Sequence, residues 1–442
     1  MNCQCIYAYL FSHREKHKRL APFGFLKIMP DHNNTINDRS VPLWRTTGFV
    51  IVCGCLISVI AFGIRSSYGL FNQPISATHG WGRETFAFAL ALQNLVWGLG
   101  LPVAGMLADK FGPVRVLAVG GILYGAGVAL TAVSSTPLAL DMTAGVLVGL
   151  GLAGSAFGIV LAAIAKLVPE EKRSWAMGLT TAAGSLGQFL FAPLGQAFIT
   201  AYGWQTALVM LAAFAALIPM LATAFKAGAH HPSMRRETEI PFAKAMRAAF
   251  GHTSYLLLMA GFFVCGFQVS FITVHFPAYL SDVGAAPGLA AWSIATIGLF
   301  NIIGSYTAGV LGGKRSKRYL LSWLYVVRSI VIAIFLFSEP TTVVVLTFAA
   351  TMGLLWLSTV PLTSGLVTVM FGTQHLSTLF GFVFFTHQLG SFLGVWVGGI
   401  LFDHYGSYDV VWWISIALGL FAALIHLPIE EKRASAFGVA KV

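Results

Sequence analysis

Residues 84–115 read ETFAFALALQNLVWGLGLPVAGMLADKFGPVR, and the class of fold follows from this stretch. From Thr85 to Ala108 it holds no charged side chain. A helix that crosses a membrane needs roughly 20 apolar residues, and this run is long enough. Asp109, Lys110 and Arg115 then mark a short loop before the next apolar run begins. Outward from here the same alternation uses up nearly the whole chain. It gives twelve hydrophobic spans at roughly 46–76, 84–108, 115–134, 138–165, 175–201, 204–225, 253–281, 288–313, 319–338, 341–369, 376–402 and 408–429. Backbone polar groups inside a bilayer must be satisfied within each segment, so the spans read as helices. Continuous hydrophobicity, without ten-residue alternation, argues against a β-barrel. The expected fold class is an all-α membrane protein of twelve transmembrane helices.

Composition agrees. Hydrophobic residues make up 57% of the 442 and charged residues 10%, against about 25% charged in a soluble domain. The mean hydropathy of +0.78 excludes disorder and argues against a water-soluble enzyme. The five cysteines form no disulfide framework. Neither Cys-x-Cys pair, Cys3/Cys5 or Cys53/Cys55, has the further ligands of a zinc site.

The net charge of +11 is explained by orientation rather than by nucleic acid. With the N-terminus inside, 24 of the 27 Lys and Arg fall on inside pieces or at their edges, and only Arg65, Arg83 and Arg328 are left over. This is the positive-inside pattern. It places both termini in the cytoplasm of a cell membrane, the inner membrane in a Gram-negative cell, and favours anionic lipid. The tail 1–44 is polar, with no signal-peptide order of charge, apolar core and cleavage site; Met29 is an alternative start.

The polar linker 226–252 divides the spans six and six, giving an N-terminal bundle 45–225, a C-terminal bundle 253–429 and a cytoplasmic tail 430–442. A slide of 203 positions lays span 5 on span 11 without a gap. Gly187 then meets Gly390, Gly195 meets Gly398, and Tyr202-Gly203 meets Tyr405-Gly406. The halves are therefore expected to be pseudo-symmetric six-helix bundles.

The loop Gly105–Arg115, GMLADKFGPVR, resembles the signature loop of the major facilitator superfamily, G-x-L-x-D-[RK]-x-G-x-[RK]-[RK]. Gly105, Leu107, Asp109, Lys110, Gly112 and Arg115 match, and Val114 departs. A degenerate echo, Gly309 to Lys314, lies in the second half. The resemblance implies two bundles around a central cavity, with Asp109, Lys110 and Arg115 in gating; the alternative is that they are merely solvated loop charges. FGIRSSYGLFNQPIS in span 1, GLFNIIGS in span 8 and the stretch 380–412 are similar to the monocarboxylate-transporter-like branch. That branch implies transport of a small organic anion by alternating access, as a symporter and a monomer, without ATP or other cofactor and with proton coupling left open.

Arg65 stands about two-thirds along span 1. At the membrane centre an Arg costs on the order of 2.5–3.5 kcal/mol, so it needs a polar cavity or a partner. Ser58, Arg65, Tyr68 and Asn72 share one helical face by spacing. The branch carries a cation at the Arg65 position, where it attracts the substrate carboxylate, and a guanidinium can clamp one with two hydrogen bonds. The alternatives are snorkelling or a purely structural role. His387 in span 11, Asn301 in span 8 and Gln268 in span 7 are the matching candidates in the other half. His387 can hydrogen-bond or titrate. Ser305 stands where the branch has an Arg, which argues against small 2-oxo and 2-hydroxy acids and toward a bulkier, aromatic or less charged substrate. Arg328 in span 9 reads as a structural hydrogen-bonder. No acid lies well inside a span, there is no Walker loop, and no catalytic triad or metal cluster is visible. An exporter or importer of a larger metabolite or drug on the same fold is the alternative function. A membrane sensor would need an output domain that these tails are too short to hold.

Overall fold

Long apolar runs become helices, as hydrogen bonding inside a bilayer requires. A computed structural model describes residues 46–155, 157–167, 170–228, 240–372, 375–434 and 437, with the side chains of 109, 157, 162, 165–167, 170–175, 287 and 377 outside that description. Eleven helical stretches are long and apolar enough to cross a membrane. The longest, Ala176–Lys226, holds two crossings. Gly203 within it takes φ 78° and ψ 164°, a backbone open to glycine for want of a Cβ, and turns the chain between spans 5 and 6. The result is twelve spans, and no strand occurs among the described residues.

Several spans are broken where the sequence reading has single helices. Span 1 runs Thr47–Ser67, tightens to a 3₁₀ turn over Tyr68–Phe71 and resumes as Asn72–His79. Pro74 has no N–H for the Leu70 carbonyl and crowds it, so the chain tightens just ahead of it. This changes the phase after Ser67, and the one-face spacing expected for Ser58, Arg65, Tyr68 and Asn72 does not run straight through. Span 10 is two helices, Thr342–Leu355 and Thr359–Phe371. Pro361 falls in the first turn of the second, where its missing N–H costs nothing. The linker is not wholly irregular: Phe242–Phe250 is a helix with Ala245 and Ala249 buried.

The sequence repeat reappears as paired contacts. Span 5 packs on span 1 and span 11 on span 7. A Cβ on Gly187 would collide with the Val59 carbonyl, and one on Gly390, its repeat partner, with the Phe263 carbonyl. Only glycine lets these backbones touch. The third span of each half makes an equivalent bond. Tyr124 donates to the Ala61 carbonyl at 2.9 Å, and Tyr325 to the Gly261 carbonyl at 2.7 Å. The halves meet along span 2 with span 11, and span 5 with span 8.

Arg328, wholly buried in span 9, mends the break in span 10. Its Nη2 donates to the Leu355 carbonyl at 2.5 Å and to the Trp356 carbonyl. Nη1 reaches Gln268 Oε1 and Cys265 Sγ, both at 3.4 Å. A cation here also faces the carbonyl end of the helix Thr342–Leu355, the favourable sense of its dipole.

Candidate functional site

Arg65 sits in span 1 near the middle of the N-terminal half. Its Nη2 donates to Asn94 Oδ1 on span 2 at 2.8 Å. Asn94 is oriented for this by its own amide, which donates to the Leu90 carbonyl at 2.9 Å. The guanidinium lies over the Trp97 ring, 5.0 Å from its centroid, a cation–π contact. Two donors, Arg65 Nε and Trp97 Nε1, are buried with no protein acceptor. Among the described residues no carboxylate pairs with Arg65. Among the described residues, its charge is held by an amide oxygen and a ring face.

The C-terminal half reaches this point through span 11. Gln388 Nε2 donates to the backbone carbonyl of Asn94 at 3.3 Å. Gln388 Oε1 in turn accepts from His387 Nδ1 at 3.1 Å, which fixes a proton on that nitrogen. Rings run in parallel with this polar path. Trp97 meets Phe384 edge-on at 5.4 Å, Phe384 stacks on His387 at 5.8 Å, and Phe262 lies 4.8 Å from His387. Arg65 and His387, expected from opposite halves, are therefore joined by both a hydrogen-bonded and an aromatic path. Asn94 and Trp97 were legible only as polar residues of span 2. Gln388 carried no signal beyond its place beside His387.

Among the described residues, the other expected ones form no hydrogen bond with Arg65, Asn94 or His387. Tyr68 is buried, its hydroxyl facing Thr131 of span 3 without closing a hydrogen bond. Asn72 is buried, and its Oδ1 accepts from Ser76 at 3.5 Å. Gln268 lies inside the C-terminal half, donating to the Ser415 carbonyl at 2.8 Å and accepting from Arg328. Asn301 holds the second crossing between the halves. Its Nδ2 donates to Ser185 Oγ of span 5 at 2.9 Å, while its Oδ1 accepts from Ser305 Oγ and from Leu357 N, each at 3.0 Å. Lys110 and Arg115 are exposed about Gly112, whose φ of 87° ends span 2; the side chain of Asp109 lies outside the described residues.

One end of the molecule is clasped across the two halves. Arg83, at the start of span 2, forms a two-pronged ion pair with Asp282 at the end of span 7. It also donates to Tyr408 Oη at 3.0 Å and lies 3.9 Å over the Phe402 ring. Asp403 takes the first free N–H groups of span 2, from Arg83 at 2.9 Å and Glu84 at 2.8 Å, capping one half's helix with the other half's carboxylate. Ser281 donates to Gln73 Oε1 at 2.7 Å, and Trp396 to Glu84 Oε1 at 3.2 Å. Among the described residues, every hydrogen bond, ion pair and ring contact between the halves lies between this clasp and the level of Trp97 and Ser185. The sequence signal for the clasp was Arg83 itself, one of three cations outside the orientation pattern.

The arrangement is two helical halves, closed at one end, with a guanidinium that no described carboxylate pairs where the closure stops. The Major Facilitator Superfamily model matches residues 54–395 and, in a second match, 258–441. Monocarboxylate transporter 13 of Bos taurus is 27% identical over 86% of this chain and 89% of its own length. The MFS-type transporter YcxA of Bacillus subtilis (strain 168) is 24% identical over 88% of this chain and 97% of its own. Among solved structures, a bacterial homolog of the human lysosomal transporter Spinster, inward-facing and unoccupied, aligns with a TM-score of 0.70 at 15% identity, covering 90% of this chain and 97% of that one. By sequence and by fold, this multi-pass membrane chain belongs to the major facilitator superfamily, a family of transporters and not of enzymes.

Proposed function

We propose that the chain is a secondary transporter of a small organic carboxylate, working by alternating access, with Arg65 as the anion anchor. The observation that carries this reading is the lone charge of Arg65. A guanidinium deep in the bilayer and unpaired by any described carboxylate is costly, and a substrate carboxylate relieves that cost. The buried Nε–H of Arg65 and the indole N–H of Trp97, both without protein acceptors, call for an acceptor-rich ligand. Arg328 shares a buried Nε–H without an acceptor but differs in that its Nη1 and Nη2 are both engaged, by a carbonyl pair, Gln268 and Cys265. Similarity to monocarboxylate transporter 13 supports the same substrate class.

In this reading the clasped end faces outside and the basic loops face the cytoplasm, the orientation supported by the distribution of Lys and Arg. The two halves rock about the level of Arg65. Substrate must bind the two states unequally to drive that motion, and a ligand touching both Trp97 and Phe384 does so when the halves part. The test is uptake into proteoliposomes against a panel of carboxylates and neutral amphiphiles. A charge-assisted hydrogen bond is worth roughly 1.5–3 kcal/mol, so Arg65→Gln should weaken carboxylate affinity about ten- to a hundredfold. Arg65→Lys, which keeps the charge, should lose less. Unchanged affinity in Arg65→Gln would refute the anchor.

A further inference from the structure

We infer that the carboxylate held at Arg65 is carried on a planar aromatic ring, received at the meeting of Trp97 from one half and Phe384 from the other. This rests on the carboxylate reading above and names its substrate class. The wall beside the guanidinium is aromatic on both sides of the boundary. Trp97 has Phe62 at 6.2 Å and Phe384 at 5.4 Å, both edge-on. Phe384 continues face to face onto His387, the planes 5° apart, with Phe262 beyond. Phe62 and Phe384 keep part of their surface exposed, so the row is not sealed within the packed interior.

Three polar side chains on which a small hydroxy or keto acid could take a second anchor in the C-terminal half, those of Asn301, Gln268 and Ser305, are already bonded to protein. The amide of Asn301 serves Ser185, Ser305 and Leu357. That of Gln268 serves Ser415 and Arg328. The hydroxyl of Ser305 is spent on Asn301. What remains near Arg65 is one cation, its own Nε–H, the indole N–H of Trp97 and ring faces, with the unbonded Tyr68 hydroxyl one turn further along span 1. Aromatic rings recognise one another by edge and face through their quadrupoles, which a saturated ring of similar size cannot match. A ring seated here touches both halves, so the same contact that selects the substrate also reports its presence across the boundary.

The experiment is calorimetric titration of the detergent-solubilised full chain with phenylacetate, cyclohexylacetate, phenylacetamide and lactate. Phenylacetate is expected to bind about three- to tenfold more tightly than cyclohexylacetate, the range that an aromatic pair contributes. Phe384→Leu, which leaves Trp97 as the one ring partner named for the substrate, should lower that ratio about two- to threefold, and Phe384→Tyr, which keeps the ring, should preserve it. Equal affinities for phenylacetate and cyclohexylacetate, or tighter binding of lactate than of either, overturn the aromatic assignment and leave the carboxylate anchor standing. Equal affinities for phenylacetate and the neutral phenylacetamide overturn the anchor itself.

Discussion

Ser185 and Gln388 occupy the same place in the two halves, 203 residues apart, and each is tied across the boundary to an asparagine. Asn301 donates to the Ser185 hydroxyl; Gln388 donates to the Asn94 carbonyl. The two crossings of a pseudo-symmetric transporter are thus pinned at equivalent heights by different chemistry. Ser185 receives a bond and Gln388 gives one. Only the second lies beside the lone guanidinium, because Asn94 spends its side chain on Arg65 and its backbone on Gln388.

The two pins should be separable. A neutral hydrogen bond contributes about 0.5–1.5 kcal/mol net, and sites without shared partners add. Ser185→Ala and Gln388→Leu should each lower thermal stability in detergent, with the double variant near the sum. A large deviation from additivity in the melting temperatures would show that the crossings are coupled through the bundle.

The clasp should set the balance between states. Asp403→Asn removes the charge that caps span 2, worth on the order of 1 kcal/mol, or about fivefold in an equilibrium. Asp282→Asn frees Arg83 from a pair whose side chains are 12% and 31% exposed, and should act in the same direction. Ala87 is buried under Gly399, so Ala87→Cys reports opening of this end. A membrane-impermeant maleimide added outside whole cells should label it several-fold faster in either Asn background. No acceleration would mean that the clasp does not hold the closed state, and labelling only from the cytoplasmic side would reverse the orientation.

Arg328 should matter for folding rather than for binding. Arg328→Met leaves the carbonyls of Leu355 and Trp356 and the amide of Gln268 short of partners, each buried unpaired group costing about 1–3 kcal/mol. Arg328→Lys should recover only part of the loss, since an ammonium lacks the fork that spans two carbonyls. The check is the melting temperature together with substrate affinity of the folded fraction. A normal melting temperature with lost affinity would move Arg328 into the binding site.

With no acid well inside a span, proton coupling would have to use His387, His275 or the substrate's own carboxyl group, and His387 is the one to test first because it is bonded through Gln388 to the Arg65 site. His387→Gln can still donate to the Gln388 oxygen but cannot take up a proton. Uptake driven by an imposed pH gradient should lose its stimulation in this variant, while exchange at equal pH continues. Stimulation that survives the substitution would assign the coupling elsewhere.

Hydrophobic length, the placement of cations and the offset repeat were enough to specify twelve helices and two related halves, because the bilayer leaves no other way to satisfy so much backbone. The signature loop was legible for the same reason that short loops are: charge and glycine stand out against apolar neighbours. Arg65 was legible because a charge within a span is rare. What pairs with what was not legible. Tyr68, Asn72 and Gln268 carry the same polar signal as Asn94 and Gln388, yet only the second pair forms the hydrogen bonds that run from Arg65 to His387. The clasp joins Arg83 to Asp282 and Asp403, 199 and 320 positions away, and no local pattern encodes such distant partners. Sequence periodicity determines the face on which a side chain stands. Only the packing of one helix against another decides whether that face meets a cavity, a carbonyl or the opposite half.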